Sequence, residues 1–529
     1  MKLVFNLKNC IFSNRKEKDI SMTTKRLSIN MAANLLAFTV NIGINFFLTP
    51  YIIKTVGTES FGFVGLATNF VNYASLLTIA LNSMAGRFIT INIYQNNLKE
   101  ANKYYNSVLL ANTFIAIILL VLSIICVFNL NQLLNISSGI YKDVQILFAL
   151  LFMNFIVSTI GSIFAIATFA KNRLDLSSLR GIESNLLRAS LLIGLFYFFE
   201  PSIAYLGIAA LSASFYVLLT NIYYTKKLLP ELKVKKFYFD IKSIKELLSS
   251  GIWNTIIRLG QLLLDGIDLL VANLFLGATA MGTLALAKTV PMFITYLVGV
   301  LAGVFMPNFT IQYARNNIKE LIKDIKQSMK IMGIIVGIPI SMLIAFGDIF
   351  YSLWTPSENS WELQLLSIIS VATIIISGSI NPIYNVFTVT NKLKHNALWL
   401  IGTGALNTII VLVLLKTTSL GLYAIAGVST TISIMRNLIF TAPYGAKYLG
   451  AKWNTFFSEI IKSIVSISII TMLALFLRIF ININTWTELF LFGSISSLLG
   501  LIINCFLILT KEERGNLLKI IKRTNNKGE

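Results

Sequence analysis

The segment NTIIRLGQLLLDGID, Asn254 to Asp268, puts an arginine, two carboxylates and two amides inside a stretch apolar enough to cross a bilayer, about 247–276. Asn254, Arg258, Gln261, Asp265 and Asp268 fall at i, i+4, i+7, i+11 and i+14. On a helix they lie within about 40° of one line. A guanidinium on such a stripe offers phosphate oxygens a planar fork and stays charged at any physiological pH. A carboxylate deep in a span can hold Na⁺ or exchange H⁺. Asp265, placed near the midplane, is the ion-coupling candidate; it reads equally as a partner for Arg258 or Gln261 across a cavity. Arg258 lies roughly 10 Å nearer the cytoplasm, too far for an i,i+4 pair with Asp265. Asp268 and Lys288 stand at equal depth on adjacent antiparallel spans, which suits a fixed structural ion pair.

Subtracting 220 from these numbers leads to NLLAFTVNIGIN, where Asn34, Asn41 and Asn45 occupy the places of Asn254, Gln261 and Asp265. The stripe is repeated without charge. Lipid cannot accept it, because each ion at the centre of a spanning helix costs at least ~3 kcal/mol. A water-accessible cavity can. Arg188, one turn after Ser184, is a second candidate cavity cation, with snorkelling or pairing to Glu183 as the alternative. Arg436 reads as an anchor at the membrane interface, and Arg87, at the cytoplasmic end of the second span, as a headgroup anchor or equally a gate. Trp354, Trp361, Trp399 and Trp486 fall near span ends, where aromatic belts sit.

The elements that must carry these residues are membrane helices. The chain has 529 residues, is 56% hydrophobic and only 13% charged, about half the charge of soluble domains. Long apolar runs without alternation exclude an outer-membrane barrel. About fourteen spans are expected, near 27–53, 61–86, 106–128, 144–169, 180–199, 203–225, 247–276, 280–306, 329–353, 363–390, 396–415, 420–442, 457–480 and 487–510. The fifth is the least apolar, with Arg180, Glu183 and Arg188. An even number puts both termini on one side. With that side cytoplasmic, Lys54, Lys142, Lys416 and Arg478 lie outside and Arg188, Arg258, Lys288, Arg436 and Lys462 lie within spans. The remaining Lys and Arg face the cytoplasm, as the positive-inside rule requires. The net charge of +21 is then a topology signal held against anionic membrane lipids, above all in the basic stretch 226–246. Nothing in it asks for nucleic acid.

No nucleophile motif or phosphate-binding glycine loop is present, so the chain is not expected to be an enzyme. Cys10, Cys126 and Cys505 are too scattered for a disulfide or metal site, and His395 is a loop histidine. No cofactor is expected beyond Na⁺ or H⁺. MKLVFNLKNCIF lacks the form of a signal peptide, and residues 1–21 read as an extension ahead of Met22.

VGTESFGFVGLA at 56–67 is answered by LGATAMGTLALA at 276–287, NNLKEANKYYNS at 96–107 by NNIKELIKDIKQS at 316–328, and AKNRLDL at 170–176 by TNKLKHN at 390–396. A common offset near 220 predicts two parallel six-span repeats with substrate between them. The expected organisation is a tail 1–26, a first lobe 27–229, a basic linker 230–246, a second lobe 247–450, two further spans in 457–510 and a tail 511–529. The connections 87–105 and 308–328 read as short amphipathic helices, interfacial or solvated.

NLLAFTVNIGINFFLTPYIIKTVGTESFGFVGLA, SMAGRF and VFMPNFTIQYARNN resemble the MOP superfamily of exporters, and most of all its Wzx-type flippases of polysaccharide biosynthesis. The resemblance covers nearly all of 27–510. It implies an all-α integral membrane protein with a MATE-like V of two six-helix lobes, the first and seventh spans lining the cavity and the last two packed outside. It implies a bacterial cytoplasmic-membrane flippase for undecaprenyl-pyrophosphate-linked oligosaccharide units of capsule, O-antigen or another surface polysaccharide. The cationic cavity would receive the pyrophosphate, with Arg258 the best-placed cation. A polysaccharide polymerase and glycosyltransferases are the expected partners. A cation-coupled multidrug antiporter and a peptidoglycan-precursor flippase share the fold and are the alternatives. A scaffold for glycan-assembly enzymes would have no use for charges inside the membrane.

Overall fold

The computed structural model describes residues 17–390, 392–508, 510 and 514. Cys10, the first part of the expected N-terminal tail and nearly all of the C-terminal tail lie outside the described residues. Among the described residues there is no strand. Fourteen long helices follow one another: α1 Glu17–Val56, α2 Thr58–Tyr94, α3 Leu98–Phe128, α4 Ser138–Ala170, α5 Leu174–Phe198, α6 Ala204–Leu228, α7 Ile241–Leu276, α8 Ala278–Gly303, α9 Ile318–Trp354, α10 Ser360–Val389, α11 Leu393–Thr417, α12 Leu422–Tyr448, α13 Phe457–Ile479 and α14 Trp486–Leu507. Each meets one expected span. Among the described residues thirteen stretches are long and apolar enough to cross a membrane; α5 falls short because Arg180, Glu183 and Arg188 interrupt it. Helices are the answer to hydrocarbon, since each satisfies its own backbone polar groups. Large side chains left exposed along them, such as Ile461, Val465, Met472 and Phe476 on α13, suit acyl chains rather than water.

Several helices outrun the spans read from hydropathy. The segment 87–105 is not a separate interfacial helix: α2 continues to Tyr94 and α3 starts at Leu98. What lies between is a tight turn through Asn96, in the left-handed region at φ 58°, with the Asn97 amide donating to Asn92 O at 2.9 Å. Asparagine reaches that conformation at little cost. Its counterpart 220 residues on behaves alike: Asn316 has φ 56° and the Asn317 amide donates to Gln312 O at 3.0 Å. There a short helix, Met306–Ala314, precedes α9. Gly57 and Gly277 repeat as well, at φ 83° and 95°. The sequence repeat is thus a repeat of helix-ending geometry.

Close packing divides the chain into two compact units. One comprises Ile29–Leu286 with Leu400–Leu422; the other is built on Ala287–Trp399 and the chain from Tyr423 onward. In the first unit α7 packs along α2. Gly251 makes this possible, since a Cβ there would come within 1.9 Å of Ala80 O. Gly62 and Gly282, the second glycines of the two repeats, face each other where α2 meets α8; a Cβ on Gly62 would stand 2.7 Å from Gly282 Cα. Small residues let backbones approach where lipid supplies no hydrophobic drive. At the other end of α7 Asn135 and buried Asn273 clasp each other through backbone and side chain at 2.9–3.0 Å.

The stretch after α6 is pinned rather than loose. Asn102 on α3 pairs with Glu231 O and the Lys233 amide, and Asn106 with Lys233 O and the Lys235 amide, at 2.8–3.1 Å. Ser107 does the same for the backbone of Asp240. Asp240 then caps α7: its carboxylate accepts from Ser243 Oγ and from the amides of Lys242 and Ser243. These bonds, the serine's first, hold its carboxyl below the usual range.

In the second unit α9 packs on α10 and α13. Gly333 and Gly337 sit against Ser463 and Ile467, and Arg478 forks onto Asp348 at 2.8 and 2.6 Å.

Candidate functional site

The stripe on α7 does not continue as an ideal helix. Between Gln261 and Asp268 the chain makes a π turn, Leu262–Gly266, in which the Ile267 amide reaches back to Leu262 O at 3.1 Å. A π turn adds one residue and shifts everything beyond it around the axis. This corrects the single polar line. Asn254 and Arg258 are half-buried, Gln261 and Asp265 are exposed, and Asp268 is buried with 2% of its surface accessible.

A π turn also releases carbonyls from the helical ladder, and in a membrane these must find donors. Tyr73 of α2 donates its hydroxyl to Gly266 O at 2.7 Å. From α11, Asn407 donates to Leu264 O at 2.9 Å and Thr408 to Leu263 O at 3.2 Å. Gly260 and Gly404 bring α7 and α11 close enough for this; a Cβ on Gly404 would lie 2.7 Å from Gly260 O. The turn is therefore built into the packing. It has its own donors on two neighbouring helices.

One turn before it, Arg258 Nη2 donates to Asn72 Oδ1 of α2 at 3.0 Å, with a longer contact of 3.5 Å from Nη1 to Gln261 Oε1. Asn254 donates to Ser83 Oγ at 3.2 Å. No carboxylate lies within ion-pair distance of Arg258 among the described residues. Neutral acceptors orient the guanidinium and leave its charge unspent.

The amides of α1 are taken up by α5 and by each other. Ser178 donates to Asn34. Asn45 Nδ2 donates to Asn41 O at 2.8 Å and Asn41 Oδ1 at 3.1 Å, and its own Oδ1 receives Arg188 Nη2 at 3.2 Å. Arg188 is thus joined to the stripe of α1. Glu183 is not its partner: Glu183 pairs with Arg180 at 2.6 Å and accepts from Tyr216. Like Arg258, Arg188 has an amide acceptor and no carboxylate within ion-pair distance among the described residues. Arginines nearer helix ends are neutralised instead, as Arg173 is by Asp175 at 3.0 Å and Arg478 by Asp348. Asp268 and Lys288 fall in different units. His395 is exposed and meets the Tyr448 hydroxyl at 3.0 Å.

Sequence reasoning passed over Asn72, Tyr73 and Asn407. Each is a polar residue in an apolar run, FVNYA in α2 and GALNT in α11, and that interruption was the available signal. What it answered to, a non-α turn on another helix, has no local signature.

A model of the polysaccharide biosynthesis protein family matches residues 27–312. The chain belongs to that family. It is 29% identical over 499 residues to the uncharacterized membrane protein EpsK of Bacillus subtilis (strain 168), covering 94% of this chain and 99% of that one. Among solved structures it is similar to an inward-facing multidrug resistance MATE family transporter of the MOP superfamily, with TM-score 0.63, 14% identity, and 80% of this chain and 97% of that chain covered. The lipid II flippase MurJ in an inward closed conformation matches with TM-score 0.60 and 15% identity, over 90% of this chain and 98% of that one. The fold is similar to that of these MOP superfamily transporters, as the resemblance implied.

Proposed function

We propose that this member of the polysaccharide biosynthesis family is a flippase for undecaprenyl-pyrophosphate-linked oligosaccharide units in a bacterial cytoplasmic membrane. Alternating access carries the unit from the inner to the outer leaflet. The observation that carries the reading is the state of Arg258. It sits on a membrane helix beside a π turn, oriented by Asn72 and Gln261, with its charge left for an anion. A guanidinium so held matches pyrophosphate oxygens. Arg188, held by Asn45, adds a second positive charge in the same unit. The half-buried Asn254 and the exposed Gln261 supply hydrogen bonds suited to sugar hydroxyls. A cationic drug would gain nothing from two unneutralised arginines.

Asp265 stands within the π turn itself, where binding of Na⁺ or H⁺ would bias a helix that is already irregular. We assign ion coupling to it. Both termini are assigned to the cytoplasm and the basic segment after α6 to anionic headgroups, on the charge distribution of the connections.

Glycan display in a strain lacking the gene tests the transport reading. The wild-type chain restores display; Arg258→Ala, inserted to the same level, does not. Display that Arg258→Ala restores in full refutes the role given to Arg258. Asp265→Asn is expected to insert normally and to lose the dependence of flipping on an ion gradient. Flipping by the variant that still rises and falls with the gradient removes Asp265 from coupling.

A further inference from the structure

The second unit contains an arginine set out on the plan of Arg258. Arg436, read from sequence as an interface anchor, directly precedes a second π turn, Asn437–Thr441, in α12. Its Nη2 donates to the Tyr384 hydroxyl of α10 at 2.9 Å, and the guanidinium lies over the Tyr384 ring, 5.8 Å from its centre. Tyr384 in turn donates to Asn437 Oδ1 at 2.6 Å, and Thr441 donates to the same oxygen at 3.1 Å. Both hydroxyls face Oδ1 of the Asn437 amide, and its NH₂ group points away from them. Asn437 is 1% exposed, yet among the described residues its Nδ2 has no acceptor, and neither has the buried Nε of Arg436. No carboxylate lies within ion-pair distance of Arg436 among the described residues. What remains is a positive charge with an unpartnered N–H, among the described residues, in a membrane-spanning helix. Such a cation is costly unless something compensates it. Phe440 lies one turn further on, stacked between Phe387 at 5.7 Å and Trp399 at 5.2 Å, so the π turn has a rigid floor.

We propose that Arg436, Asn437 and Tyr384 form a second oxyanion site that takes the phosphate group of a lipid. Two sources offer that chemistry: a prenyl diphosphate, which rests on the flippase reading, and an anionic phospholipid headgroup, which does not. π turns recur at functional positions in helices, and both arginines with unspent charge beside such a turn are held by a neutral side chain from a neighbouring helix.

The full chain in neutral phosphatidylcholine nanodiscs is titrated with farnesyl diphosphate and, separately, with phosphatidylglycerol, and bound lipid is counted by native mass spectrometry. The titrations are run on the wild type and in an Arg258→Gln background, so that the two stations are read apart. Arg436→Gln is expected to weaken at least one of the two lipids about tenfold or more. Tyr384→Phe, which deletes one hydroxyl and keeps the ring, is expected to weaken the same lipid several-fold. A response to farnesyl diphosphate supports the site as a station for the transported lipid. A response to phosphatidylglycerol alone supports it as a headgroup site and leaves the Arg258 reading standing. Unchanged affinity for both lipids in Arg436→Gln and Tyr384→Phe, with melting temperatures preserved, overturns the site whatever happens at Arg258.

Discussion

Arg188 and Arg258 are positioned by asparagine, and the choice of acceptor has a consequence. A carboxylate beside an arginine would compensate the charge and compete with any anionic ligand. An amide oxygen fixes the fork and leaves the electrostatic attraction to the ligand. Asn72→Asp should therefore lower the affinity of the purified chain for farnesyl diphosphate by insertion of a counter-charge, while Asn72→Gln should retain most of it. Equal affinities for the two variants would show that Arg258 does not meet the diphosphate. The donors to the π turn carry a different kind of prediction. Tyr73→Phe or Asn407→Leu leaves a membrane-buried carbonyl without its partner, at about 1–3 kcal/mol each. Thermal melting in detergent measures this, and an unchanged midpoint would mean that water satisfies Gly266 O or Leu264 O. Of these residues, Arg258 was legible in sequence because an ion in an apolar run is conspicuous. Asn72 was not, because a lone asparagine in a membrane helix has many uses.

At the scale of elements, α7 is held at its start, along its flank and at its irregular centre. The start depends on Asp240, whose carboxyl is held below the ordinary range by Ser243 and two backbone amides. A depressed folded value means that the cap is intact above the unfolded carboxylate range and is lost as pH falls through the folded value. Protection of the Lys242 and Ser243 amides against hydrogen exchange, taken relative to the intrinsic rate at each pH, should fall at acid pH in the wild type and be low at every pH in Asp240→Ala. The flank depends on Gly251. A methyl at that position meets Ala80 O at 1.9 Å, so Gly251→Ala must push α7 off α2. Size-exclusion chromatography should show a reduced monodisperse fraction; a variant as well behaved as the wild type would mean that the helices have room to separate. Hydropathy placed α7 within a few residues of its membrane-crossing part. It also placed the segment 87–105 in the wrong kind of element, because amphipathic residues after a span look the same whether the helix turns along the interface or runs straight on. Asn96 decided the matter through a left-handed turn.

On the scale of the whole molecule, the repeat is carried by backbone geometry more firmly than by side chains. Gly57 and Gly277 adopt φ 83° with ψ 163° and φ 95° with ψ 173°, a region open essentially to glycine alone. Gly57→Ala and Gly277→Ala should each cost about 1–3 kcal/mol, and by similar amounts, read as lowered melting midpoints. A large loss at one and none at the other would argue that the two turns are not equivalent. The stripes diverge where the backbone does not. On α1 the amides Asn34, Asn41 and Asn45 are engaged by α5 and by one another; on α7 Asn254 meets Ser83 of α2, Gln261 meets Arg258 on its own helix, and Asp265 stands in a π turn that α1 lacks. Compact packing likewise groups α7 with the first six helices, the start of α8 and most of α11.

The sequence by itself determined the membrane class, the fourteen helices, the 220-residue repeat and the presence of ions inside the bilayer. All four follow from local composition and spacing, because hydrocarbon demands a length of apolar helix and penalises every exception to it. Which neighbour each ion meets was decided only by the tertiary structure. Asn72 and Arg258, Asn45 and Arg188, and Asn407 and Leu264 are separated by well over a hundred residues, and the π turn that rephases Asp265 and Asp268 exists because distant helices supply its missing donors. Hydrophobic periodicity records which face of a helix is polar. It holds no record of the partner that makes the polarity affordable.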